Sequence, residues 1–176
     1  MLTDLQILPA LPADAGAILA LRRSVLREGA WFTMEPDELR EDVTQRAELI
    51  RHLQRSGNGV CLVAKVGGEL AGTAMIEGGG LRRIRHVGRL EMMVAEPLRG
   101  LGVGDALLTA ALRAARRNVA LEKVELALYA HNLRAHALYV RHGFEEEGRR
   151  RRQQRLSDGE YADEVWMALW VRGGAG

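Results

Sequence analysis

The chain has 176 residues, 47% of them hydrophobic and 27% charged, which is enough for one domain with a proper core and too little for two ordinary ones. A net charge of +2 implies no general nucleic-acid footprint, and the single cysteine, Cys61, excludes an internal disulfide. The opening MLTDLQ lacks the basic and apolar blocks of a secretory leader, and no apolar run reaches the roughly 18 residues of a membrane span, so a cytoplasmic protein with no membrane partner is expected.

In chain order, Leu5–Leu8 reads as a first strand, and Asp14–Leu26 and Pro36–Ser56 as helices. Val60–Val66 and Leu70–Glu77 form a hairpin turned by Gly67-Gly68, with Cys61 expected as a buried small hydrophobe. Leu90–Val94 is a central strand that runs through RGLGVG into a helix over Gly104–Arg117. Leu107, Leu108, Ala111, Leu112 and Ala115 make one apolar packing stripe on that helix. Lys123–Leu128 is a further strand, followed by a helix over Asn132–His142 that Asn132 is suited to cap and Gly143 to close. Two strands around the Asp158-Gly159 turn complete a single domain over residues 1–172, leaving 173–176 as a loose tail.

Two segments carry chemistry. Arg99–Gly104 places Gly100, Gly102 and Gly104 at a strand-to-helix junction, where backbone N–H groups converge on the positive end of the helix dipole and favour a phosphate or pyrophosphate. The spacing fits neither G-x-G-x-x-G nor a P-loop and leaves R-x-x-G-x-G; taken alone, such a loop reads equally well as a tight turn. The second segment is Asn132–Phe144. There Asn132 and Tyr139 project from nearly the same helix face, giving it an amide and a phenol.

Together, R-x-x-G-x-G and N-x-x-A-x-x-L-Y-x-x-x-G-F resemble the motifs of the Gcn5-related N-acetyltransferase superfamily, and the likeness spans most of the chain. Leu5–Asp14 is similar to that family's opening strand and turn, and Gly159–Trp170 to its closing strand. The resemblance implies an α/β (α+β) fold with a mixed, mostly antiparallel sheet of about seven strands and about four helices, splayed at an acetyl-CoA cleft. It implies acetyl-CoA as cosubstrate, with no metal. The backbone of Met92, Met93 and Val94 would pair with the pantetheine arm, and the amides from Gly100 through Leu101, Gly102, Val103 and Gly104 would take the pyrophosphate. Arg99 would order the loop or touch phosphate, Asn132 would bond the arm, and Arg141 would meet the nucleotide end or stay solvated.

Acetyl transfer needs an amine freed of its proton, a stabilised oxyanion and a proton for the departing thiolate. By the family motif Tyr139 protonates the sulfur; the bland alternative is a packed ring. Spacing does not single out a general base among Glu91, Glu77 and His86. Glu91 is named first because it adjoins the proposed thioester site. Ala127 stands where the ribosomal-protein alanine acetyltransferases that read LEVR-x-x-N carry an acidic residue, which argues against peptide N-terminal acetylation.

The acceptor side is expected from Glu28–Glu38, with its Trp31-Phe32 pair, and from Asp158–Asp163; the pair reads as a pocket wall or as a core plug. Arg149–Arg152 with Arg155 reads as a hairpin strand facing Asp163 and Glu164 rather than a nucleic-acid site, and Arg82, Arg83 and Arg85 as a loop able to steer an anion. The leading expectation is N-acetylation of a small-molecule amine such as an amino acid. Modification of a protein N-terminus or lysine is one alternative, and a CoA-binding module without turnover is another. A homodimer is admitted by the superfamily's habits but specified by nothing in the patterning.

Overall fold

In the computed structural model, which describes Leu2 and residues 4–156 and 158–173, the alternating apolar runs assemble into one seven-stranded sheet. Its strands are β1 (Leu5–Pro9), β2 (Val60–Val66), β3 (Glu69–Gly78), β4 (Val87–Val94), β5 (Lys123–Tyr129), β6 (Glu145–Arg155) and β7 (Tyr161–Trp170). The order is β1-β2-β3-β4-β5-β7-β6, and every neighbouring pair is antiparallel except β4 with β5.

Helices cover both faces because successive strand residues point to opposite sides. Ile18 of α1 (Ala15–Leu26) and Ile50 of α2 (Val43–Arg55) pack on Val63 of β2. The apolar stripe of α3 (Val103–Arg117) packs on the other face, joined by Tyr139 of α4 (Leu133–Arg141). The approach of α3 is close: a Cβ on Gly72 of β3 would lie 2.8 Å from the Met93 carbonyl and 2.9 Å from Leu107. On β4, Leu90, Met92 and Val94 therefore face α3, while Glu91 and Met93 face α1.

Several boundaries depart from the sequence reading. Pro36–Ser56 is not one helix: Pro36–Glu38 is a short 3-10 turn, residues 39–42 are non-helical, and α2 starts at Val43. The cause is a capping box, in which the Asp42 side chain accepts from the Gln45 N–H at 2.8 Å and Gln45 accepts from the Asp42 N–H at 2.9 Å. Cys61 is half-buried rather than fully buried, and burial pushes its thiol up to about 11. The expected tail lies outside the described residues beyond Gly173. Among the described residues no helix is long and apolar enough to cross a membrane.

Candidate active site

The sheet opens in its middle. β4 and β5 pair only at Val87↔Lys123, Gly88↔Val124 and Arg89↔Glu125. Beyond that point Leu90–Val94 and Leu126–Tyr129 diverge, and each keeps its partner on the outer side only, β3 for β4 and β7 for β5. The gap is a cleft of about 1090 Å³ walled by two strand edges, with α4, the glycine loop and the segment after α1 around it. An unpaired strand edge inside a sheet offers peptide donors and acceptors to an amide-bearing ligand, as added strands do.

One end of the cleft is formed by the glycine loop and the start of α3. Gly100 and Gly102 hold φ of +79° and +91°, a region that favours glycine, and Gly102 serves as the N-cap of α3 with no side chain closing that terminus. The first N–H groups of a 15-residue helix are thus left for a ligand. A Cβ on Gly102 would meet nothing within 4 Å, so the cradle is open there. Gly100, Gly102 and Gly104 line the cleft, whereas the Leu101 side chain is half exposed and that of Val103 is buried in the core.

Arg99 is engaged within the protein. Its Nη1 and Nη2 donate to the two Glu28 carboxylate oxygens at 2.6 and 2.7 Å, and its Nε donates to the Val94 carbonyl at 2.9 Å. In this geometry it orders the loop. The Glu28 carboxyl is held below its ordinary value of 4.5, chiefly by the hydrogen bond from Arg99. The pair therefore stabilises the fold above the unfolded-state value, and that contribution fades as pH falls through the lower folded value. Arg99→Met is expected to cost about 2 kcal/mol at pH 7 and clearly less at pH 3 in urea titrations. An equal deficit at both pH values would mean that the ion pair is not what secures the loop.

α4 brings the second motif to the cleft. Asn132 caps it by accepting from the Ala135 N–H at 3.2 Å, and the residue also lines the cleft. Tyr139 lines the cleft with its ring buried edge-on against Phe144 at 5.5 Å, and burial pushes its hydroxyl up to about 12. Arg141 sits exposed at the cleft's edge, 3.6 Å from Asp105.

The carboxylate candidates separate. Glu91 lines the cleft and is ion-paired with Arg22 of α1, whereas Glu77 is exposed and neither it nor His86 lines the cleft. Arg22 is otherwise mostly buried, and its Nε has no partner among the described residues. Met93 packs with Leu21 and Val25, and Met92 and Val94 lie against Gly104, so β4 presents its backbone between them.

Other expectations meet the structure differently. Trp31 and Phe32 both line the cleft and pack against the cluster of Leu21, Val25 and Met93, so the wall and the plug are one feature. This segment is tied down at both sides: Trp31 Nε1 donates to Glu28 at 2.6 Å, and His131 Nε2 meets the Ala30 carbonyl at 3.2 Å. None of Asp158–Asp163 lines the cleft; the hairpin contributes Glu164, the register partner of Tyr129. The arginine strand faces acids as expected, Arg150–Glu164 at 3.5 Å and Arg149–Asp163 at 3.9 Å. Arg82, Arg83 and Arg85 precede the start of the eight-residue β4, roughly 26 Å along the strand from the glycine loop at its other end. At a screening length of about 8 Å they do not steer an anion to that loop.

The sequence reading missed Arg134. It lies in the first turn of α4 and lines the cleft, with its Nη2 3.2 Å from where a Cβ on Gly100 would sit. Its seven-residue spacing from Arg141 was the available signal, since residues so spaced share a helix face.

The acetyltransferase (GNAT) family model matches residues 24–144, which include β4, the glycine loop and α4. The chain belongs to the GNAT family. Among curated relatives it is 29% identical over 107 residues to the L-amino acid N-acetyltransferase AaaT of Escherichia coli (strain K12), covering 61% of this chain and 65% of that one. The match thus spans a little under two thirds of the relative's length. This GNAT chain is also similar to a GNAT-family acetyltransferase from Streptococcus pneumoniae, at 26% identity and a TM-score of 0.91 over 95% of this chain and 99% of the other. It shares its fold with yncA from Salmonella typhimurium, solved with its cofactor acetyl-CoA, at 19% identity and a TM-score of 0.87 over 99% and 98%.

Proposed function

We propose that the chain transfers an acetyl group from acetyl-CoA to the primary amine of a small molecule such as an amino acid. The observation that carries this reading is the parting of β4 from β5, with an uncapped helix terminus at one end of the gap and a buried tyrosine beside it. Acetyl-CoA, when bound, supplies the thioester. The open edge of Met92, Met93 and Val94 receives the amide-bearing arm, and the amides from Gly100 to Gly104 receive the pyrophosphate. Arg99 keeps that loop in shape, Asn132 offers its NH₂ to the arm, and Arg134 and Arg141 provide positive charge toward the nucleotide end.

Glue between these parts and chemistry comes from two side chains. Glu91, fixed by Arg22, relays a proton from the ammonium through water. Tyr139, kept neutral by burial, offers its O–H to the departing sulfur. Ala127 lines the cleft without a charge, which disfavours a peptide N-terminus that expects an acid there.

The test measures thiol release from acetyl-CoA with free amino acids and simple amines on one side and peptides with free N-termini or lysines on the other. Turnover on free amines with none on peptides is the expected result. The reverse overturns the small-amine reading, and tight binding of acetyl-CoA with no turnover on either marks a sensor.

A further inference from the structure

Most of the charges that line the cleft away from the glycine loop are paired. Arg22 holds Glu91, Arg99 holds Glu28, and Arg150 lies 3.5 Å from Glu164. Arg89 remains. It is exposed, lines the cleft, and precedes Glu91 by two residues on β4, so both project from the face turned away from α3. Its register partners, Glu77 on β3 and Glu125 on β5, make no ion pair with it, and among the described residues it forms no ion pair at all.

Arg89 is nevertheless held in place. Its guanidinium carbon lies 4.8 Å from the centroid of the Trp166 ring, and that ring is fixed by its Nε1 donating to Glu164 at 2.7 Å. Stacking on an aromatic face orients a guanidinium without neutralising it and leaves its N–H fork for a planar anion. Glu91 stands roughly 6.6 Å further along the same strand, with its carboxylate on Arg22 of α1 while the Arg89 guanidinium lies over Trp166 of β7. The same strand thus brings a cation and a carboxylate to the cleft two residues apart, the charges that an acceptor bearing both an ammonium and a carboxylate would need.

We propose that Arg89 anchors a carboxylate carried by the acceptor, so that the site prefers amines with a carboxylate close to the nitrogen, α-amino acids foremost. The proposal rests on the small-amine reading above and sharpens it: Glu91 reads the ammonium, Arg89 reads the carboxylate, and Val25, Phe32 and Met34 face the remainder with apolar surface.

The experiment compares pairs that share a side chain and differ in the carboxylate, L-leucine with 3-methylbutylamine, L-phenylalanine with phenethylamine, and L-methionine with 3-(methylthio)propylamine, with every kcat/KM referred to the unprotonated amine because the carboxylate also lowers the amine's basicity. The expected kcat/KM preference for the acid-bearing member is about 10- to 100-fold, the size of a charge-assisted contact. In Arg89→Met that ratio falls toward one through a rise in the amino acid's KM, while the KM for acetyl-CoA stays put; Arg89→Lys keeps part of the preference. Because Arg89 is exposed, its variants are expected to keep the wild-type Tm. Equal rates within each pair for the wild type, or a preference that survives in Arg89→Met, would overturn the proposal. Failure to acetylate any member of any pair while acetyl-CoA binds would instead overturn the small-amine reading and remove Arg89's role with it.

Discussion

Gly102→Glu is expected to weaken acetyl-CoA binding by about a thousandfold, to the edge of detection by calorimetry, while the chain stays folded. The backbone at Gly102 has φ of +91°, so any side chain there costs about 1–2 kcal/mol of strain. Strain alone does not remove binding, and a Cβ at this position meets no atom within 4 Å, so the substitution causes no clash in the free protein. The decisive effect is charge. A carboxylate placed about 4 Å from a bound phosphate, at the effective dielectric of a protein surface, opposes it by about 4 kcal/mol. Gly102→Ala separates the two effects, since it keeps the strain and omits the charge; it should lower Tm while binding acetyl-CoA nearly as the wild type does. If Gly102→Glu binds acetyl-CoA like the wild type, the cradle at the start of α3 is not where the phosphates sit.

That cradle was legible in the sequence for a physical reason: its parts are neighbours in the chain. A strand, a glycine loop and a helix in direct succession fix the geometry locally, and the alternation of Val124, Leu126 and Leu128 against Glu125 and Ala127 fixes which side of β5 is core. The helix periodicity of α3 and the Asn132 cap of α4 were readable on the same ground. The break before α2 was also local. The Asp42 and Gln45 pair announces a helix start, and the Pro36 signal upstream drew the boundary too early.

What the chain alone withholds is pairing between distant side chains. Arg22 and Glu91 lie 69 positions apart, and Glu28 and Arg99 lie 71 apart. Nothing in composition or spacing says that the end of α1 passes over the cleft, so Arg99 stood equally for loop and for phosphate. The same blindness applied to Arg89, which looks like any surface arginine until the fold sets it over Trp166 at the cleft with no ion pair among the described residues. Local pattern sets the elements, whereas the electrostatics of the site depend on which elements the sheet order brings together.

Tyr139→Phe is expected to lower kcat about a hundredfold and to leave acetyl-CoA affinity and Tm nearly unchanged. The ring keeps its edge contact with Phe144, 5.5 Å away, so the variant loses an O–H and little packing. Burial pushes the hydroxyl up to about 12, so the phenol stays protonated throughout the working pH range. A thiolate of ordinary basicity, about 8.5, does not take the proton outright from such a phenol. The hydroxyl instead donates a hydrogen bond that strengthens as negative charge builds on the sulfur, and losing one such donor costs about 10² in rate. The sign for pH follows: an acid whose ionisation is displaced upward stays active where an ordinary tyrosine would begin to fail, so the wild type should show no tyrosine-dependent falling limb near pH 10. A limb near pH 10 that vanishes in Tyr139→Phe would show the hydroxyl titrating at its ordinary value. Equal kcat in the two proteins would take Tyr139 out of the mechanism.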